Sequence, residues 1–341
     1  MKNILISILW FFNVLAALAM LIAFAAPYVD PSIVAFPAFF GLAFPLILFV
    51  NVVFVIFWLF VKWKYLFLSL IIIILGYSNV KTYIRLSANK EEPGNVNGIK
   101  VITYNVRNFN NLGYKNNKNL INKIKTFLSE QDADVICLQE SGNKSQLKFE
   151  GYQTVGDRAN FILTKLKVIK TGYLMDANDY KFGVYADVIF QYDTIRLYNV
   201  QLLSYSVSRD IEDYEKEPEK VNPKQKVVTI AKKLKKGFTT RVNETYKLRK
   251  SLENSPYSVI LCGDFNDPPA SYTYRQIVNT GLKDAFVESG KGYGNTYNGY
   301  LPNMRIDYIF TSADIKIYNY KVFKVGFSDH FPVSALMVPE K

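Results

Sequence analysis

Three long, uncharged and largely apolar segments open the chain. Asp30 is the only charged residue between positions 3 and 61, and Lys64 and Lys81 flank the third segment. About 20 apolar residues cross the hydrocarbon of a bilayer as a helix, so this pattern predicts a transmembrane region over residues 1–86. The third segment is short, but lysines at both of its ends can extend to the headgroups. The three predicted spans cover about residues 4–28, 35–61 and 64–80.

From Gly98 onward, short β-branched and aromatic runs alternate with segments of helical periodicity. This alternation predicts one α/β domain over residues 99–341. Residues 87–98 are rich in turn-forming and charged residues and predict a linker. The predicted strands include KVITYNV (100–106), DVICLQE (134–140), SVILCGDFND (258–267), RIDYIF (305–310) and VSALMV (333–338); the predicted helices cover residues 119–131 and about 211–254.

The composition narrows the classes of protein. The apolar segments exclude a wholly soluble single domain, and the presence of only two cysteines excludes a disulfide scaffold. We expect these cysteines, Cys137 and Cys262, to be buried thiols. The net charge of +12 divides into +4 on residues 1–86 and +8 on the rest. The lysine run AKKLKKG (231–237) is typical of a solvated helix face, with contact to phosphate-rich substrates or anionic lipid headgroups as the alternative.

The short loops predict the orientation of the chain. The turn between the second and third spans carries Lys62 and Lys64, whereas the turn between the first two carries only Asp30. The positive-inside rule places the lysine turn in the cytoplasm. We therefore expect a multi-pass membrane protein with everything after residue 80 outside the cytoplasm. In a bacterial cell this places the helices in the inner membrane and the rest of the chain in the periplasm.

Polar side chains follow the predicted buried strands, where a scaffold presents a site to solvent. Carboxylates and amides with few histidines are hard oxygen ligands that suit Mg²⁺ or Mn²⁺ better than Zn²⁺. Such a cation polarises a phosphoryl oxygen, and a histidine beside an aspartate can bind that oxygen or move a proton. The residues concerned are Asn105, Glu140, Asp264, Asn266, Asp307, Asp329 and His330, the single histidine of the chain.

Five motifs in this order, ITYNVR, DVICLQE, CGDFND, RIDYIF and SDHFPV, resemble those of the endonuclease/exonuclease/phosphatase superfamily, the DNase I-like proteins. The resemblance runs from about residue 99 to 338. The stretch from SYTYRQ to RIDYIF looks like the membrane-anchored bacterial branch familiar from Bacteroidetes. The resemblance implies a four-layer α/β sandwich, in which two mixed sheets pack face to face with helices outside.

The resemblance also implies roles for the polar residues. Glu140 is then the principal ligand of Mg²⁺ or Mn²⁺, Asn105 holds the metal or the phosphate, and Asp329 lies on the metal side. In the catalytic group, Asp264 activates or orients the attacking water and Asn266 holds the water or the phosphate. Asp307 fixes the tautomer of His330, and His330 contacts the scissile phosphate.

One position departs from the family pattern. Many relatives carry a histidine in the strand motif NVHLxS, where this chain has Gln201 in YNVQLLS (198–204). Glutamine donates a hydrogen bond but delivers no proton. We consider Tyr205 as a substitute acid and Arg305 of RIDYIF as a substrate contact. The alternative is a catalytically weakened, membrane-tethered binding or scaffold protein that keeps the fold.

The sequence thus predicts a membrane-anchored, Mg²⁺-dependent phosphodiesterase or phosphatase. Nucleic acid is favoured as substrate by the net charge of +8 after residue 86. A phospholipid headgroup is favoured by the tether, which raises the effective concentration of membrane substrates. Both substrates stay open at this point. The bilayer and the phosphoester are the implied partners, and no protein partner is implied.

Overall fold

The computed structural model describes residues 2–86, 97–109, 118–142, 149–157, 159–205, 222–299 and 304–340. The predicted linker lies mostly outside these residues, as does the first part of the predicted helix over 211–254. The helices of the N-terminal region are α1 (Lys2–Ala25), α2 (Phe36–Leu42), α3 (Phe44–Val61), α4 (Leu66–Leu75) and α5 (Tyr77–Val80), with a 3₁₀ turn at Trp63–Tyr65.

Two helices of this region are long and apolar enough to span a membrane, Asn3–Ala25 and Phe44–Val61. The second predicted span, 35–61, is broken at Ala43, because Pro45 has no N–H to continue the hydrogen-bond ladder from α2. The third predicted span is replaced by a shorter apolar helix, Trp63–Leu75, and the predicted bundle of three full spans is therefore not confirmed. α4 ends at Gly76, whose position against the ring of Phe24 leaves no room for a side chain.

A buried polar cluster joins the three apolar helices. Asn13 of α1 donates to the Ser69 hydroxyl at 2.6 Å and accepts from the indole N–H of Trp58 at 2.7 Å. Ser69 in turn donates to Asn51 of α3 at 2.9 Å. Polar groups buried among apolar helices need such partners, so this cluster fixes the register of α1, α3 and α4.

A two-sheet sandwich begins at Ile99. Within the described residues its strands are β2 (Ile99–Asn105), β3 (Val135–Gln139), β4 (Gln153–Asp157), β5 (Asn160–Thr164), β6 (Lys167–Met175), β7 (Lys181–Phe190), β8 (Asp193–Gln201), β9 (Ser258–Asp264), β10 (Lys283–Asp284), β12 (Asp307–Thr311), β13 (Ile315–Val322) and β14 (Val333–Pro339). Its helices are α6 (Lys118–Glu130), α7 (Pro223–Glu253), α8 (Tyr272–Val278) and α9 (Ala285–Ser289), with a 3₁₀ turn at Arg107–Phe109. β11 (Gly292–Tyr293) pairs with β1 (Ile84–Arg85), the strand that follows the helical region.

The sandwich has four layers. One sheet has the strand order β13-β14-β2-β3-β5-β4 and the other β10-β12-β9-β8-β7-β6. Their inner faces share one apolar core that includes Cys137 and Cys262, both of which are buried free thiols. α6 covers the first sheet through Ile124 and Leu128, and α7 and α8 cover the second through residues such as Leu248 and Ile277. The predicted α/β sandwich is confirmed.

Two parallel strand pairs set the position of the polar residues. β2 runs parallel to β3 and β8 runs parallel to β9, whereas the other named pairs are antiparallel. In these pairs Asn105 is opposite Gln139 and Gln201 is opposite Asp264. The carboxyl ends of the central strands of both sheets therefore lie at one edge of the sandwich.

Candidate active site

Side chains from both sheets meet at this edge. The amide of Asn105 donates to Asp264 Oδ2 at 2.9 Å and to Glu140 Oε1 at 3.2 Å. Asn105 ends β2, Glu140 follows β3 and Asp264 ends β9, so the amide joins acids of the two sheets across the core. Its own oxygen accepts from the backbone N–H of Arg107 at 2.9 Å.

The Glu140 carboxylate is held by amide donors. Gln201 donates to Oε1 at 2.6 Å and Asn108 donates to Oε2 at 3.4 Å, in addition to Asn105. Glu140 itself has φ +50°, a left-handed conformation that costs energy for a side chain with a Cβ. Among the described residues no lysine or arginine forms an ion pair with this carboxylate. Within the described part of the chain, amide dipoles are thus the groups that balance its negative charge.

His330 is paired with Asp307. The Nδ1 atom of His330 lies 3.0 Å and 3.1 Å from the two carboxylate oxygens of Asp307, and its Nε2 lies 3.9 Å from Asp264 Oδ2. Asp307 is held in turn, because its backbone N–H donates to the Thr296 hydroxyl at 3.0 Å. The ring of Tyr297 meets the imidazole edge-on, with centroids 5.1 Å apart. The imidazole therefore has a fixed orientation, with Nε2 directed towards Asp264.

Burial and neighbouring charges shift the pKa values of His330 and Asp264 in directions that suit catalysis. Burial disfavours the imidazolium, but the carboxylates of Asp307 and Asp264 outweigh it and raise the pKa of His330 to about 10. Burial raises the pKa of Asp264 to about 7, against the opposing effect of His330. A cationic imidazole stabilises developing negative charge, and a carboxylate with a pKa near neutrality can accept a proton from water.

Asn266 completes the group around Asp264. Its backbone N–H donates to Asp264 Oδ1 at 2.9 Å, and its side-chain amide donates to Asp264 Oδ2 at 3.1 Å and to the carbonyl of Leu202 at 2.9 Å. The residue has φ +51°, another left-handed position at the site. Asn266 thus orients the aspartate.

The turn after β2 contributes two residues that the strand pattern does not single out. Arg107, Asn108 and Phe109 all have positive φ values, from 46° to 54°. The turn brings Asn108 to Glu140, and it places Arg107 Nε 3.4 Å from Asp329 Oδ2. Asp329 is therefore paired with an arginine next to the site. Arg107 is the last residue of the motif ITYNVR and Asn108 follows it, and this position alone signals them in the sequence.

Two predicted substrate contacts lie elsewhere. The Tyr205 hydroxyl donates to Asp267 Oδ1 at 2.7 Å, and its ring faces the guanidinium of Arg241 at 3.9 Å. Arg305 is buried and donates to both oxygens of Asp284, at 3.0 Å and 2.7 Å. Burial raises the pKa of Tyr205 well above its usual range, which makes it a weak acid. The structure brings neither side chain into the cluster of Asn105, Glu140, Asp264 and His330.

The donor set suits a hard divalent cation. One oxygen from each of Asp264 and Asp307 lies within 4.8 Å of a ring nitrogen of His330, a grouping that can hold a metal ion. Asp307 already neutralises the imidazole, however, whereas Glu140 has no cationic partner among the described residues. Oxygen donors with an uncompensated carboxylate match Mg²⁺ or Mn²⁺. Glu140 is accordingly the better candidate for the principal ligand.

Comparisons with known proteins agree with this fold. Residues 227–330 match the sequence profile described as Endonuclease/Exonuclease/phosphatase family, and residues 6–83 match a domain of unknown function (DUF8431). No curated protein sequence matches the chain.

Several solved structures share the fold. An endonuclease/exonuclease/phosphatase family protein from Bacteroides thetaiotaomicron matches at a TM-score of 0.51 and 17% identity, over 73% of this chain and 100% of its own. The mannosyl-6-phosphatase of B. thetaiotaomicron VPI-5482 matches at a TM-score of 0.50 and 17% identity, over 70% of this chain and 99% of its own. D. rerio TDP2, solved with a single-strand DNA product, matches at a TM-score of 0.50 and 16% identity, over 70% of this chain and 98% of its own.

The sandwich therefore has the DNase I-like fold of these structures, as the motifs predict. The profile match over residues 227–330 agrees with this fold.

Proposed function

We propose that this chain is a membrane-anchored, divalent-metal-dependent phosphoester hydrolase. In this proposal residues 1–86 form the membrane anchor, residues 87–98 the linker and residues 99–341 the catalytic domain. The observation that carries it is the convergence of Glu140, Asp264 and the His330–Asp307 pair at one edge of the sandwich. Each of these groups has a geometry that a phosphoester hydrolase can use.

The residues divide into a metal side and a catalytic side. Glu140 would hold Mg²⁺ or Mn²⁺, with Asn105 and Asp329 flanking it, and the ion would supply Lewis-acid stabilisation of the phosphoryl oxygens. Asn105 presents N–H groups to both acids, which supports an orienting role for it.

The catalytic side acts on water and phosphate. Asp264, held by Asn266, accepts a proton from the attacking water. His330, held by Asp307, donates a hydrogen bond from Nε2 to a phosphoryl oxygen. The 3.9 Å between Nε2 and Asp264 Oδ2 allows both groups to contact one reacting phosphate. Among the similar structures, one is called a mannosyl-6-phosphatase and another is solved with DNA, so the substrate can be a monoester or a diester.

Replacing Glu140 with Gln tests the proposal. The change keeps the shape but removes the charge, so hydrolysis of bis(nitrophenyl) phosphate by the full chain in detergent should fall at least about 10²-fold. EDTA should abolish the activity of the parent, and Mg²⁺ or Mn²⁺ should restore it. The exposed Glu253→Gln serves as the control for loss of one acid. Normal turnover by the Glu140 variant in EDTA would refute the metal assignment, and an inert parent would favour the scaffold alternative.

A further inference from the structure

The first half of α7 is basic and partly apolar on its exposed surface. Residues 223–243 contain six lysines and no acidic residue. Lys232, Lys235 and Lys236 are exposed, and so are the apolar side chains of Val227 and Val228, at 67% and 51%. Helices that lie in a membrane interface combine lysines with exposed apolar side chains in this way.

The same segment packs against the N-terminal region. Ile230 and Leu234 lie in one apolar cluster with the α2 residues Phe39 and Leu42. The rings of Phe39 and Phe238 meet edge-on, with centroids 5.2 Å apart. Because α2 lies between the end of α1 and the start of α3, it lies at the surface of any membrane that these two helices span. The first half of α7, which packs against α2, then also lies at the membrane surface.

Close contacts elsewhere fix this arrangement. A Cβ on Gly41 of α2 would overlap the carbonyl oxygen of Ala270, so the helix and the sandwich touch at their backbones. The N–H of Ala270 donates to the Tyr83 hydroxyl at 3.1 Å, and the Tyr83 ring stacks on Phe44 with centroids 5.0 Å apart. The β1–β11 pairing adds a backbone ladder. α7 is therefore held at a set height relative to the helical region.

This contact also borders the catalytic cluster. Leu42 packs against Tyr297, Met304 and Ile306, and Tyr297 contacts the ring of His330. This small apolar cluster thus lies between α2 and the catalytic histidine.

We propose that the first half of α7, together with α2, forms a face that binds the anionic headgroups of the membrane and holds the catalytic cluster at that surface. The lysines provide charge complementarity to anionic lipid. Burial of the exposed Val227 and Val228 side chains among lipid is favourable, whereas contact with a phosphate backbone would give these apolar side chains no stabilisation. This difference favours lipid over nucleic acid as the partner. The inference rests on the membrane placement in the proposed function.

A fluorophore on α7 tests this face. Cys137 and Cys262 are buried, so a cysteine introduced as Val228→Cys accepts a thiol-reactive fluorophore selectively. The labelled full chain is reconstituted in vesicles that contain a headgroup quencher, with phosphatidylcholine alone or mixed with phosphatidylglycerol. Quenching should rise with the phosphatidylglycerol content and fall at high salt, because salt screens surface charges.

Charge variants identify the residues responsible. Each lysine near an anionic surface strengthens association about fivefold, so Lys232→Gln, Lys235→Gln and Lys236→Gln together should weaken it about 10²-fold. This change should abolish the phosphatidylglycerol-dependent quenching. The matched control combines Lys167→Gln, Lys170→Gln and Lys250→Gln, which removes the same charge from exposed positions elsewhere, and should leave the quenching unchanged.

The outcomes that overturn this proposal differ from the one that overturns the catalytic function. Equal quenching in both vesicles, or quenching that survives the triple substitution, shows that anionic lipid does not bind this face. Loss of quenching on addition of a short single-stranded DNA assigns the lysines to nucleic acid. A chain that alkaline carbonate extracts from vesicles refutes the membrane placement and this proposal together. Failure of the parent to hydrolyse bis(nitrophenyl) phosphate refutes only the catalytic function.

Discussion

Gln201 contacts the principal candidate ligand rather than open solvent. Its amide nitrogen lies 2.6 Å from Glu140 Oε1, and its neighbour across the parallel pair is Asp264. A glutamine in this position holds the carboxylate in place, whereas a histidine could also protonate a leaving oxygen. The substitution is therefore compatible with a positioning role in an active enzyme.

Removal of the Gln201 amide should then weaken the binding of the metal ion. Residues that orient a metal ligand typically change metal affinity by about 10–100-fold, so Gln201→Leu should raise the Mg²⁺ concentration for half-maximal rate by this factor. The rate at saturating Mg²⁺ should fall equally for nitrophenyl and alkyl leaving groups. The exposed Gln153→Leu is the control. A selective loss with alkyl leaving groups would show that Gln201 assists the leaving oxygen instead.

Glu244 gives a second prediction for a single residue. Burial raises its pKa to about 7, although the N–H of Leu203 donates to it at 2.9 Å. Because the folded value exceeds the unfolded value of 4.5, the protonated form stabilises the fold. This contribution is complete below the unfolded pKa and is lost as the pH rises through about 7.

The variant Glu244→Gln should remove this pH dependence, since a neutral amide can still accept from Leu203. Above about pH 7 its free energy of unfolding in detergent should exceed that of the parent by on the order of 2 kcal/mol, which raises its melting temperature, and the melting temperatures of the two should converge near about pH 4. A gap between the melting curves that stays constant over this range would contradict the shifted pKa.

The sequence predicts those site residues that directly follow or end buried strands. Asn105, Glu140 and Asp264 belong to this group, because hydrophobic runs mark the strands and the next polar residue is then exposed at the edge. Arg107 and Asn108 are missed, since their positions depend on a left-handed turn that no hydrophobic pattern encodes. Tyr205 and Arg305 look equally polar in the sequence, and only the packing shows that Asp267 and Asp284 hold them.

At the level of elements, the apolar pattern predicts the helices better than their ends. The pattern is continuous over residues 35–61, yet Pro45 divides it into α2 and α3. α2 is thereby free to lie along the sandwich instead of continuing α3. This contact depends on tertiary packing between Gly41 and Ala270, which residues so distant in sequence do not reveal.

Gly41→Ala should loosen the contact between α2 and the sandwich. The added methyl group overlaps the Ala270 carbonyl, so amide exchange at Ala270 and in the β1–β11 ladder should be at least about tenfold faster. Exchange in β2 and β3 should not change. Gly326→Ala adds the same group where nothing lies within 4 Å and serves as the matched control. Unaltered exchange at Ala270 would show that the helix accommodates the methyl group by a shift.

At the level of the whole molecule, the sandwich lies at one end of the helical region. Ala26, Phe44 and Tyr83 are at that end, where Tyr83 contacts Ala270. The turn with Lys62 and Lys64 is at the opposite end, where Tyr65 packs on Trp10 with ring centroids 4.4 Å apart. The lysine turn and the sandwich therefore lie on opposite sides of any membrane that α1 and α3 span.

This arrangement predicts the topology of the chain in a bacterial cell. Since short lysine-bearing loops stay in the cytoplasm, the sandwich should be periplasmic. Alkaline phosphatase fused after Lys341 should be active, and ordinary green fluorescent protein at the same position should be dark. Fusions placed after Lys64 should show the reverse pattern.

The double change Lys62→Gln and Lys64→Gln should reduce the contrast between the two fusion sites, because the loop charges set the orientation. Bright fluorescence from the fusion after Lys341 in the parent would place the catalytic cluster in the cytoplasm, with cytoplasmic phosphoesters as its substrates.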